Sequence, residues 1–259
     1  MWNELDAAGV FDSSQYKHFD KKKSYVPCKD GYASYIAGDP KYTFKCNNLD
    51  LYDFKTHLEL GSPRGRGAGS WGWTSSRGRE FVAIAQEDGV AFAEVSKKGK
   101  LIYLGRLPHY TGTDFSRWRE IKGYKSQIVI GSEAVGHGVQ IFDMAKLQFV
   151  DPEEPVIFTN EKDLTAWWGA DLPVGRSHNV VTNEERHYGV AVGFQPRNGT
   201  LRAGMLFFDL KDPKNPKTLG GTGIDGYVHD AQCIVYRGPD RRYLGRDICY
   251  GYDEDSLAM

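Results

Sequence analysis

The chain has 259 residues, with 33 Lys and Arg against 34 Asp and Glu for a formal net charge of −1. That length allows one large domain or two modest ones around a sizeable core, and the near-neutral balance gives no basic face of the kind nucleic acid requires. No run approaches the roughly 18 apolar residues of a membrane-spanning helix, and the opening Met1-Trp2-Asn3-Glu4-Leu5-Asp6 has no apolar signal core.

From the start of the chain, Trp2, Leu5 and Ala8 are spaced for one apolar helical stripe. Lys17-His18 and Lys21-Lys22-Lys23 read as a solvated basic tail. Cys28 and Cys46 then bracket a loop rich in Gly, Pro and Tyr, so residues 1–58 read as an irregular cap on the remainder, 59–259. Gly65-Arg66-Gly67-Ala68-Gly69 reads as a flexible linker, because no strand precedes it and no Gly-Lys-Ser/Thr follows to make a phosphate loop.

Four repeats follow. In each, a β-branched and aromatic run leads through a turn into a second: 80–85 into 90–95, 127–131 into 139–144, 188–193 into 205–210, and 228–236 into 246–252. Gly89, Gly138 and Gly204 open the second runs of the first three, at a spacing suited to propeller blades. The second and third repeats close on Asp151-Pro152 and Asp212-Pro213. Proline fixes φ and cannot donate to a ladder, so each such strand with its turn reads as a sheet edge. The pattern predicts an all-β chain, a β-propeller of about four blades forming an open or incomplete ring. A β-sandwich is the alternative, although it does not require the same closing motif each time. The fourth repeat ends at 253–259, where the others continue into another glycine-led strand.

Several segments together resemble the fungal branch of the choice-of-anchor B family, whose members carry LVIVD-type repeats. They are Gly72-Trp73-Thr74 with Gly78-Arg79-Glu80-Phe81, Tyr103-Leu104-Gly105-Arg106-Leu107-Pro108, Trp118-Arg119-Glu120-Ile121, Gly131-Ser132-Glu133 through Asp143, Ser177-His178-Asn179-Val180-Val181, and His229-Asp230-Ala231-Gln232-Cys233 with Gly238-Pro239-Asp240. The resemblance implies a secreted or surface-displayed propeller, but no particular chemistry. The resemblance also implies a longer chain at both ends, with Met1 expected to be an internal start, or the start of a fragment, that has lost its targeting signal.

The four cysteines point the same way. Local spacing favours Cys28–Cys46 and Cys233–Cys249 among three connectivities, and stable bridges belong to an oxidising compartment. Zinc is the competing account, without a Cys-x-x-Cys to support it. Asn198-Gly199-Thr200 is a glycosylation sequon compatible with secretion.

The first strand of every propeller blade lines the central channel, so equivalent positions converge at one mouth. Trp71-Gly72-Trp73, Arg117-Trp118-Arg119-Glu120, Ser177-His178-Asn179 and His229-Asp230-Ala231-Gln232 occupy such positions. They nominate Trp73, Arg119, His137, His178, Asn179, His229, Asp230 and Gln232 as a ligand surface. Within it, His178, His229, Arg119 and Glu120 have the groups for acid/base work, and His178, His229 and Asp230 could seat a divalent metal, with His137 as a third imidazole. Each also has a plain structural role open to it, since channel-lining polar groups often only satisfy backbone or water. His109 lies in a loop and is a weaker candidate, while His18, His57 and His187 read as surface or packing residues. Trp71, Trp73, Trp118, Trp167 and Trp168 are either stacking platforms for sugars or core. No Gly-x-Ser-x-Gly, His-Glu-x-x-His or dinucleotide fingerprint is present. Two functions remain: a module binding an extracellular carbohydrate or protein, or a lyase or hydrolase acting on an extracellular carbohydrate.

Overall fold

Short apolar runs separated by tight turns give eighteen strands among the residues that the computed structural model describes, 2–10, 15–16, 19 and 24–259. The basic Lys17-His18 and Lys21-Lys22-Lys23 lie outside them. The strands are β1 (Tyr32–Ser34), β2 (Thr43–Lys45), β3 (Gly67–Thr74), β4 (Glu80–Gln86), β5 (Gly89–Val95), β6 (Leu101–Pro108), β7 (Arg119–Tyr124), β8 (Gln127–Ser132), β9 (Val139–Asp143), β10 (Val156–Ile157), β11 (Leu164–Trp168), β12 (Asn179–Asn183), β13 (Tyr188–Val192), β14 (Met205–Asp209), β15 (Thr218–Thr222), β16 (Val228–Val235), β17 (Asp247–Asp253) and β18 (Leu257–Ala258). Among the described residues helices are few and short, the first being Trp2–Ala7, which stops before Ala8 and leaves Leu5 exposed. The chain is all-β.

After a β1–β2 hairpin, four sheets follow one another along the chain. Their orders are β10-β6-β5-β4-β3, β11-β9-β8-β7, β12-β13-β14-β15 and β16-β17-β18. Every pairing is antiparallel except β10, which runs parallel to β6. The first strands form a row in which β3 packs on β7, β7 on β12 and β12 on β16, with no packing of like extent between β16 and β3.

Three apolar layers hold the sheets face to face. Between the first and second lie Phe81, Phe92, Leu104, Ile128, Ile130 and Phe142. Val129, Ile141, Val180, Ala191 and Phe208 lie between the second and third, and Val190, Val192, Met205, Val228 and Cys233 between the third and fourth. Strand alternation explains the division, since Ile128 and Ile130 point one way and Val129 the other. A strand buried on both faces reads as an unbroken apolar run, as β8 and β13 do. Phe92 and Phe142 stack at 4.7 Å between ring centroids, and complete burial of one such ring contributes about 1.5–3 kcal/mol.

The structure corrects three expectations. The runs that precede the Asp-Pro turns are third strands and not edges: β14 is followed by β15, and β9 by β11. The turns themselves are built alike, with the Asp151 carboxylate accepting from Glu153 N–H and that of Asp212 from Lys214 N–H, but the chain then returns as an outer strand. Because β15 is almost wholly exposed, it carries no apolar signal. Second, the expected linker is in part a strand, since β3 begins at Gly67. Its glycines permit close approach: a Cβ on Gly69 would lie 2.9 Å from the Glu120 carboxylate. Third, the fourth repeat does continue, through the two-residue β18.

Both local disulfides are present, Cys28–Cys46 and Cys233–Cys249. The first closes the N-terminal segment, whose own small core holds Phe19, Val26, Ala33, Tyr35 and Tyr42. The second joins directly opposed residues of β16 and β17. Among the described residues no helix is long and apolar enough to cross a membrane.

Candidate functional site

Strands β3, β7, β12 and β16 all start at the same end of the molecule, where each start pairs with the end of the next strand: Gly67 with Gln86, Arg119 with Ser132, Asn179 with Val192 and Val228 with Asp253. Backbone bonds stitch this rim together. Glu133 N–H donates to Trp118 O at 3.0 Å, Ser177 N–H to Ser132 O at 2.9 Å and His178 N–H to Val192 O at 2.9 Å. Gly193 makes room where these pieces meet, for a Cβ there would lie 2.6 Å from that of His178. β16 carries a register shift between Val228 and Asp230, so His229 is the extra residue of a bulge. Bulges re-aim side chains, and this one turns an exposed imidazole toward the third sheet.

The result is a hydrogen-bonded line. Arg176 Nη2 donates to Glu133 Oε2 at 2.5 Å, Glu133 Oε1 bonds His178 Nδ1, and His178 Nε2 lies 3.1 Å from His229 Nε2. Burial pushes the Glu133 carboxyl upward, but the His178 hydrogen bond and the Arg176 charge outweigh it and hold the group below its ordinary value. An ionised Glu133 can only accept, so His178 donates through Nδ1 and its Nε2 shares a proton with His229. Trp118 lies 6.0 Å from the His178 ring and Tyr227 6.4 Å from it, with the Arg197 guanidinium 3.8 Å above Tyr227. Burial, followed by the nearby Glu133 charge, raises the Tyr227 phenol, which is therefore a proton donor at neutral pH. The arrangement can hold a proton at His178 or His229, pass it along, and stack a ring on Trp118.

The remaining nominees are elsewhere or otherwise engaged. Arg119 is 2% exposed and His137 fully buried. Arg119 Nε donates to Gln86 O at 3.1 Å and its Nη1 donates to His137 Nε2 at 2.6 Å, while His137 Nδ1 donates to Gly138 O. With both ring nitrogens used and no exposure, His137 cannot be a third imidazole at an open mouth. Burial drives it well below its ordinary pKa, with Arg119 adding to the effect, and burial also brings Arg119 down to about 10. Glu120 is held by Lys122 at 2.5 Å. Trp73 lies at the far end of β3, stacked on Phe81. It is not equivalent to the other nominees, since β3 begins at the glycine-rich segment. Asn179 opens β12 beside His178, and Asp230 spends a carboxylate oxygen on Ala231 N–H. Gln232, three residues beyond His229, is roughly 10 Å further along the strand by its rise. Among the described residues no three His, Cys, Asp or Glu side chains are grouped to hold a metal.

His109 bonds Thr113, His187 bonds the Tyr124 hydroxyl, and His57 adjoins Gln86, all packing roles. His18 lies outside the described residues. Glu133, Arg176, Tyr227 and Arg197 were not nominated, because they come from connections between strands. Only the position of Glu133, just past the second strand of its repeat, could have pointed to it. No protein-family model and no curated protein matches the chain.

Proposed function

We propose that the chain is a secreted or surface β-propeller of the choice-of-anchor B type, which binds an extracellular carbohydrate at the rim where its first strands begin. The observation that carries the reading is the convergence there of Trp118, His178, Tyr227 and His229 from separate sheets and connections. Aromatic faces with a few fixed polar groups suit a sugar. Two disulfides and an exposed Asn198 in a glycosylation sequon favour an oxidising, extracellular setting. Four sheets stacked face to face, with their first strands in a row, favour the propeller. A screen of the purified protein on immobilised saccharides tests the function. Binding should occur and be lost in His178→Ala/His229→Ala while the variant still melts cooperatively; binding that survives the double variant refutes this site.

A second reading has its own support in the Glu133–His178–His229 line. It orients one imidazole and leaves a shared proton beside a neutral phenol, which suits a lyase or hydrolase acting on the bound sugar. New reducing ends or unsaturated products from a polysaccharide, abolished by Glu133→Gln, would establish it.

A further inference from the structure

The rim does not end at the histidines. Trp118, which faces His178, is also a wall of a recess of about 490 Å³ between the N-terminal segment and the first two sheets. Phe44 and Phe54 supply further aromatic wall, and Lys55, Arg66 and Arg117 supply cations. Among the described residues no carboxylate lines it.

The cations in and beside the recess differ in how they are paired. Glu87 serves both Arg64, at 3.3 Å, and Arg66, at 3.4 Å. Asp88 is bonded to Arg106 at 2.6 Å and is also the main carboxylate acting on buried Arg119. Lys55 is paired with Glu59 at 3.6 Å, whereas Arg117 has no ion pair among the described residues. Its guanidinium lies 5.6 Å from the Trp118 ring. Arg117 Nη1 is buried with no hydrogen-bond partner among the described residues. Unpaired buried donors on guanidinium groups are costly, and a carboxylate is their best complement because its two oxygens match the arginine fork.

We propose that this recess is a subsite for a carboxylated sugar, so that the ligand of the rim is a uronate-bearing oligosaccharide. One uronate sits with its carboxylate on Arg117 and its ring between Trp118 and Phe54, and the chain continues past Trp118 to His178. The assignment rests on the saccharide reading above and adds its chemical class.

Calorimetric titration of the whole chain with a trimeric galacturonate or glucuronate tests it, beside the same trimers with their carboxyls reduced to alcohols and a sulfated neutral trimer. Wild type should bind the uronate at least tenfold more tightly than its reduced form. Arg117→Gln should lose about tenfold toward the uronate and little toward the reduced form, while Arg117→Lys recovers part of the loss. Equal affinity for uronate and reduced trimers overturns the proposal, and this comparison needs no variant to fold. Preference for the sulfated trimer alone overturns it too. Neutral saccharides bound through His178 and His229, indifferent to Arg117→Gln, would leave the rim reading intact and remove this one. Absence of any saccharide binding removes both.

Discussion

His137 should make the fold acid-sensitive well above the carboxylate range. In the native state both ring nitrogens are engaged and one faces the Arg119 guanidinium at 2.6 Å, so a second ring proton has no place and burial holds the pKa far below 6.5. The unfolded chain restores the ordinary value. A native pKa depressed in this way contributes stability that is intact above about 6.5 and declines as pH falls from there toward the native pKa, because only the unfolded chain takes up the proton. Linkage sets the slope at about 1.4 kcal/mol per pH unit for one proton, which amounts to about 2 kcal/mol lost by pH 5. His57 and His109 are depressed by burial as well and add slope of the same sign. Denaturant unfolding at half-unit steps from pH 7.5 to 5 measures it. His137→Gln keeps an acceptor for Arg119 and removes the titration, so its slope should be smaller than wild type by one proton whatever its absolute stability. Identical slopes would refute the buried neutral imidazole.

Further predictions concern the core, the bridges and the imidazole line. Phe92→Ala empties a stacked site between the first two sheets and should cost about 3–5 kcal/mol in denaturant unfolding; a loss below about 1 kcal/mol contradicts the layer described. Cys233→Ala/Cys249→Ala should destabilise by about 3 kcal/mol on chain-entropy grounds, read as a lower melting temperature, whereas an unchanged melt would mean the bridge constrains nothing. Glu133→Gln should shift the His178 imidazole away from the Nδ1-protonated tautomer in nitrogen NMR, and an unaltered tautomer removes Glu133 from the line. Because the Glu133 carboxyl is depressed, its contribution is present above the ordinary carboxylate range and declines as pH falls through it, so the variant should lose that part of the acid limb alone.

Strands β8, β13 and β14 were legible because layers on both faces demand apolar residues at successive positions, and β4 and β5 because one face fills the layer shared with the second sheet. Outer strands such as β15 and β18 were not, since one face is solvent and the other only skims a neighbour. β3 was half hidden: its leading glycines serve close approach to His57 and Glu120, yet the same residues spell a linker. The His178–His229 pairing was legible through the equivalence of first strands in successive repeats. Arg119 and His137 drew attention for the same residue types, but a buried guanidinium–imidazole pair uses the groups that a site would. Glu133 and Tyr227 reach the site from turns, where no period marks a side chain's direction.

Hydrogen exchange of the whole chain, with and without a saturating uronate trimer, tests most directly which face binds. The account predicts slowed exchange at 116–118, 133–138, 176–179 and 226–229, the connections of the rim. Slowing confined to the turns at the opposite end, 75–78, 96–99 and 184–187, would contradict it.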